Sequence, residues 1–118
     1  MTNKRKYPRV TIKATGEIFC IDDNRKFKAF VGGISRGGLE IYAHESVKKG
    51  CQLKITLRFL DKDGKPRDEL ISGEVRWTAS FHEAYLTGIE FTHLLDEKEN
   101  PILTDYVENA ERFFASSS

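Results

Sequence analysis

At 118 residues the chain has the size of one domain with a small core of its own, and 39% hydrophobic against 31% charged residues is a globular composition, too apolar for general disorder. Lys and Arg number 19 against 18 Asp and Glu, so no overall field recruits nucleic acid or an anionic membrane, and any anion site must be local. Arg9, Lys13 and Glu17 interrupt the region where a signal peptide would be apolar, and no run is long enough to span a bilayer, which gives a cytoplasmic reading with no membrane insertion.

Residues 1–9 form a basic arm, Lys4-Arg5-Lys6-Tyr7-Pro8-Arg9, expected to be flexible. From Val10 the chain alternates, with Val10, Ile12, Ala14, Ile18 and Cys20 on one side and Thr11, Lys13, Thr15 and Glu17 on the other, a half-buried strand expected to bend at Gly16. Asp22-Asp23-Asn24 is a turn, after which Phe27, Ala29 and Val31 resume the period of two and complete a hairpin. Beyond the pairs Gly32-Gly33 and Gly37-Gly38, Leu39-Glu40-Ile41-Tyr42-Ala43 is a third strand, with Tyr42 on its polar face. Leu53, Ile55, Leu57 and Phe59 mark a fourth that ends in the turn around Asp63-Gly64. A fifth carries Ile71, Gly73, Val75 and Trp77 on one face, with Trp77 expected in the core, and a sixth carries Ile89 and Phe91 after a loop at Phe81-His82-Glu83. Ile102, Leu103, Tyr106, Val107, Ala110, Phe113 and Phe114 then fall on one helical stripe, with Asn100 placed to cap and Pro101 at the first helical position.

The fold class is therefore all-β, a six-stranded antiparallel barrel over residues 10–114 that includes a C-terminal helix from about 100 to 114, followed by a disordered tail at 115–118. A sandwich would share the strand pattern. The helix is expected to close the barrel's open end, the alternative being a partner-binding face. Cys20 and Cys51 lack CxxC spacing and a secretory context, so free thiols in a reducing compartment are favoured over a disulfide or a metal site. His44, His82 and His93 stand far apart without a second ligand at metal spacing, and no nucleophile, phosphate-loop or dinucleotide motif is present, so neither metal, cofactor nor enzyme is expected.

Arg5 and Arg9 offer two planar, permanently charged forks that match a phosphate or the O6/N7 edge of guanine. Alone, this RxxxR is a weak signal and reads more readily as a solvated basic tail; its position just before the first strand, with a Ser/Gly turn opening the third, is what points to a site. In Gly33-Ile34-Ser35-Arg36-Gly37-Gly38, Ser35 supplies a hydroxyl, and the glycines let backbone N–H groups approach an anion or simply form a bend at a barrel corner. Arg36 adds a phosphate contact or is an exposed turn charge.

These two motifs resemble those of the PilZ family of bacterial cyclic di-GMP receptors, in its single-domain form. The resemblance runs from about Lys4 to about Phe114 and includes Gly73-Glu74-Val75-Arg76-Trp77 and Gly88-Ile89-Glu90-Phe91. It implies a six-stranded barrel with a C-terminal helix and cyclic di-GMP as ligand. By residue, it implies that Arg5 and Arg9 contact phosphates and guanine edges, that Ser35 hydrogen-bonds from the opposite side, and that Gly38 keeps the turn open. The family's second motif usually begins with Asp or Asn, an acceptor for guanine N1–H and N2–H; here Gly33 stands in that place. The function so implied is a non-enzymatic receptor whose arm orders on ligand and signals to an unidentified effector protein. Two alternatives are a degenerate adaptor that no longer binds the nucleotide and a single-strand nucleic-acid binder, the latter opposed by the near-zero net charge.

Overall fold

The computed structural model describes residues 7–117, without the side chains of 114–117. These residues build six strands and one helix: β1 (Ala14–Cys20), β2 (Arg25–Ile34), β3 (Gly38–Ala43), β4 (Gln52–Leu60), β5 (Pro66–Phe81), β6 (Ala84–Phe91) and α1 (Pro101–Ser117). All neighbours are antiparallel and the sheet closes on itself in the order β1-β2-β3-β6-β5-β4, so no edge strand is left to pair with another chain. The alternating residues fill the interior: Ile18, Ile41, Leu53, Ile55, Leu57 and Val75 are all but inaccessible.

The first strand is shorter than the alternation suggested. Thr11, Ile12 and Lys13 join no ladder, and Val10 instead forms an isolated bridge with Ile34 at the end of β2, its N–H donating to the Ile34 carbonyl at 2.8 Å and its carbonyl accepting from the Ile34 N–H at 2.9 Å. Val10 and Ile12 are buried all the same, because the segment is laid over the barrel rather than into its wall. Gly16 stays in register with Ala29 and Leu57.

Two register shifts decide which way side chains point. Between Val31 and Gly33 the pairing with β3 slips by one, which leaves Gly32 as an extra residue. Between Val75 and Trp77 the pairing with β6 slips likewise, at Arg76. A bulge of this kind inverts the alternation beyond it. That is why Trp77, expected in the core from its place after Ile71, Gly73 and Val75, is instead 40% exposed on the outer wall.

The cysteine expectation is also corrected. Cys20 and Cys51 form a disulfide. The chain spacing hid what the β1–β4 ladder does: Cys20 lies opposite Leu53, so Cys51, two residues earlier, falls beside it with the α-carbons 6.9 Å apart.

In α1, Leu103 and Val107 are fully buried in the same core as the barrel, with Ile102, Tyr106 and Ala110 packed around them. Phe113 departs from the expected stripe and is 69% exposed. The helix start is capped from outside: the buried Glu69 carboxylate of β5 accepts from the N–H groups of Ile102 at 3.0 Å and Leu103 at 3.2 Å. The Asn100 side chain, expected as the cap, donates to the Leu70 carbonyl at 2.9 Å. A full carboxylate satisfies two orphan donors and complements the positive end of the helix dipole better than an amide could. No helix among the described residues is long and apolar enough to cross a membrane.

The disulfide closes a sequence separation of 31 residues. Its reduction should lower the unfolding free energy by about 2–4 kcal/mol in urea denaturation followed by tryptophan fluorescence. An unchanged midpoint in reductant would mean that the bridge adds nothing to stability.

Candidate functional site

The Val10–Ile34 bridge sets the arm beside the turn that joins β2 to β3. There the Ser35 N–H donates to the Gly38 carbonyl at 2.8 Å, the Ser35 hydroxyl lies 3.4 Å from the same carbonyl, and the Gly37 N–H donates to the Ser35 Oγ at 3.2 Å. Ser35 thus holds the turn closed while its oxygen stays near the groove. A β-carbon at Gly38 would overlap the Ile89 carbonyl of β6, so the close approach of the two strands requires glycine here.

Gly33 has a second role that its lack of a side chain makes possible. The Gly32 bulge turns position 33 to the outer face, and Arg9 lies directly across it: a β-carbon built on Gly33 would stand 2.8 Å from Arg9 Cδ. The Arg9 guanidinium then reaches Glu40 of β3, 2.7 Å from Nη1 to Oε2, with side-chain exposures of 30% and 16%. The ring of Tyr7, meanwhile, sits against Gly37.

A groove of about 340 Å³ runs between these elements, with Tyr7, Arg9, Ser35, Glu40, Arg76 and Trp77 on its walls and Gly38 and Gly88 on its floor. The indole of Trp77 covers Gly88, the residue opposite it in the β5–β6 ladder, where any β-carbon would collide with the ring. A larger cleft of about 870 Å³ beside α1 sets Asp61, Asp63, Glu97, Asp105 and Glu108 against only Lys62 and Arg67, a net negative lining that repels a phosphodiester, whereas the groove balances Arg9 and Arg76 with Glu40 and Glu90. Size therefore gives way to charge, and the smaller groove is the candidate.

Among the residues singled out from sequence, the structure brings Arg9, Gly33, Ser35 and Gly38 around this groove. Arg5 lies outside the described residues. Arg36 points away to the helix, where Glu111 receives it at 3.0 Å and Glu108 at 3.4 Å; the hydrogen bond to Glu111 chiefly, and the neighbouring negative charges, raise its pKa further above its already high value. Sequence reading did not assign Glu40, Arg76, Trp77 and Gly88 to the site. The bulge that exposes Trp77 leaves no mark on the alternation pattern, but a cation and an indole side by side at Arg76-Trp77 were a usable signal.

A PilZ domain model matches residues 3–109, and the chain belongs to the PilZ family, whose domains act as ligand-binding receptors and adaptors for cyclic di-GMP. No curated protein matches the sequence significantly. The Bacillus subtilis inhibitor of motility (MotI/DgrA) superposes with a TM-score of 0.73 at 15% identity over 99% of this chain and 54% of its own. The K. pneumonia MrkH–c-di-GMP complex gives 0.69 at 16% identity over 94% of this chain and 56% of its own. The PilZ domain of YcgR from Escherichia coli, with c-di-GMP, gives 0.66 at 12% identity over 98% and 97%. The chain spans about half the length of the first two; at such identities the likeness is one of fold.

Gly38→Ala should cost about 1–3 kcal/mol in chemical denaturation, because the added methyl must push β3 from β6. Gly37→Ala, whose β-carbon would meet side-chain atoms alone, the Tyr7 ring at 3.3 Å and Leu94 Cδ2 at 3.6 Å, should cost less. Equal stabilities of the two variants would remove the close-approach argument.

Proposed function

We propose that the chain is a cytoplasmic, non-enzymatic cyclic di-GMP receptor that holds its ligand between the RxxxR arm and the Ser35 turn and passes the event to an effector protein. The observation that carries this reading is the meeting of Arg9 with Gly33, Ser35 and Gly38 at one groove although some 25 residues of chain and a full hairpin separate them. Arg9 donates to a phosphate or to a guanine O6/N7 edge, and Arg5, four residues earlier on the same arm, supplies a second fork. The Ser35 hydroxyl binds from the barrel side. Trp77, 40% exposed beside the groove, offers aromatic surface on which a purine can stack, worth about 1–3 kcal/mol per base.

The turn also has a route to the rest of the molecule. Arg36 spans from it to Glu111 and Glu108 on α1, its carbonyl accepts from Leu95 N–H at 2.9 Å, and the Gly37 carbonyl accepts from Phe91 N–H at 2.8 Å. In the proposed mechanism the ligand draws the part of the arm before Arg9 onto the groove and loads the Ser35 turn that Arg36 ties to α1, so that the face read by the effector changes in both shape and charge. In the cytoplasm the Cys20–Cys51 bridge would be kept reduced by the thiol pool.

A second reading has specific support. Arg9 is already neutralised by Glu40 and Arg36 by Glu111 and Glu108, and the acceptor at position 33 is missing, as suits an adaptor that has lost the nucleotide. Calorimetric titration with cyclic di-GMP decides between them. The receptor should bind with a dissociation constant that rises about 10–100-fold in Arg9→Ala, the cost of a charge-assisted hydrogen bond. Absence of heat at high micromolar ligand, with an effector captured equally by wild type and Arg9→Ala, favours the adaptor.

A further inference from the structure

We propose that Glu40 is the base-reading acceptor of the groove and stands in for the side chain missing at position 33. The proposal rests on the receptor reading above. Gly33 and Glu40 are partners in the β2–β3 ladder, and both face the outer wall, since Ile34, Leu39 and Ile41 beside them are buried inside. Adjacent strands run about 4.7–4.9 Å apart, a gap that the two methylenes of a glutamate cross. An acceptor lost from β2 is thus replaced from β3 on the same patch of surface. Because Gly33 has no β-carbon, Arg9 can lie over it and bring its guanidinium to 2.7 Å from the Glu40 carboxylate, inside the groove that Ser35 and Trp77 line.

The result is a row of N–H donors next to a row of carboxylate oxygens. Guanine presents the complement, O6 and N7 acceptors beside the N1–H and N2–H donors, whereas adenine carries a donor where guanine has O6 and an acceptor at N1. Arg9 and Glu40 together therefore select guanine and reject adenine. Hypoxanthine, which lacks the exocyclic amine, satisfies only half of the carboxylate and should bind more weakly than guanine.

The test is titration of the whole chain with cyclic di-GMP and with its analogue in which hypoxanthine replaces guanine. Wild type should prefer the guanine ligand about tenfold, as one lost hydrogen bond to a charged group implies. Glu40→Gln keeps the shape but cannot accept from both donors; it should bind cyclic di-GMP about 10–100-fold more weakly and lose most of that preference. Gly33→Asp added to Glu40→Gln should recover both, which a merely structural role for Glu40 would not produce. Wild type that takes both ligands equally overturns the proposal without recourse to any variant. Glu40→Gln binding as tightly as wild type or tighter also overturns it, because the carboxylate would then only compete with the ligand for Arg9. Wild type that binds neither ligand removes the receptor reading itself, whereas binding lost in Arg9→Ala but unchanged in Glu40→Gln removes Glu40 alone.

Discussion

The site depends on two backbone hydrogen bonds, exchanged between Val10 and Ile34. Without them the segment before Ala14 would be held only by apolar burial and by the Tyr106 hydroxyl, which donates to the Thr11 carbonyl at 3.0 Å, and Arg9 would lose its fixed direction. With them, and with Val10 and Ile12 buried beneath the strap, Arg9 is delivered to one place on the outer wall, one residue from the bridge. Val10 and Ile12 therefore do for the arm what a β-strand does for its neighbours, anchoring it by apolar burial and closing it by pairing, while the residues that carry charge stay at the surface.

The closed barrel makes such a surface site possible. Its interior is filled by side chains, so a ligand has to be held outside, and the outer wall of a regular sheet presents the polar half of each strand at fixed spacing. Two bulges break that regularity where it matters. Gly32 turns position 33 outward under Arg9, and Arg76 turns Trp77 outward over Gly88, so the chain re-aims one backbone gap and one aromatic plate toward the same groove. Each bulge lies on a strand next to the β3–β6 pair that forms the groove floor.

Most of the fold was legible because alternation is a strong signal in strands with one face buried: Leu53, Ile55, Leu57 and Phe59 are inside, as their spacing required. The helix was legible from its change of period and from Pro101. What failed was information the one-dimensional pattern does not carry. A single extra residue reverses every side chain after it, which is how Trp77 came to be placed in the core. The pairing of Cys20 with Cys51 depends on which strands become neighbours, and the cap on α1 comes from Glu69, more than thirty residues away in sequence. Of the candidate site, the arm and the turn stood out as motifs. Glu40 passed for an ordinary solvent-facing residue of β3, since the role proposed for it comes only from lying across from a glycine.

That last relation changes how the departure at Gly33 is to be understood. An aspartate or asparagine there would set a β-carbon 2.8 Å from Arg9 Cδ, so the arginine, a flexible side chain, would have to take a different course over it. Glycine at 33 and a carboxylate at 40 are consequently one arrangement: the first opens the floor over which Arg9 passes, and the second supplies the negative end that holds it there. The ion pair is only partly screened, with the Glu40 side chain 16% exposed, so a ligand that displaces it must offer the guanidinium a phosphate or base edge and the carboxylate a pair of donors at the same moment. A bare phosphate meets the first demand and leaves the carboxylate unpaired. A guanine nucleotide would meet both, and on the proposed reading the self-neutralised groove would discriminate against simple anions that an open arginine pair would take.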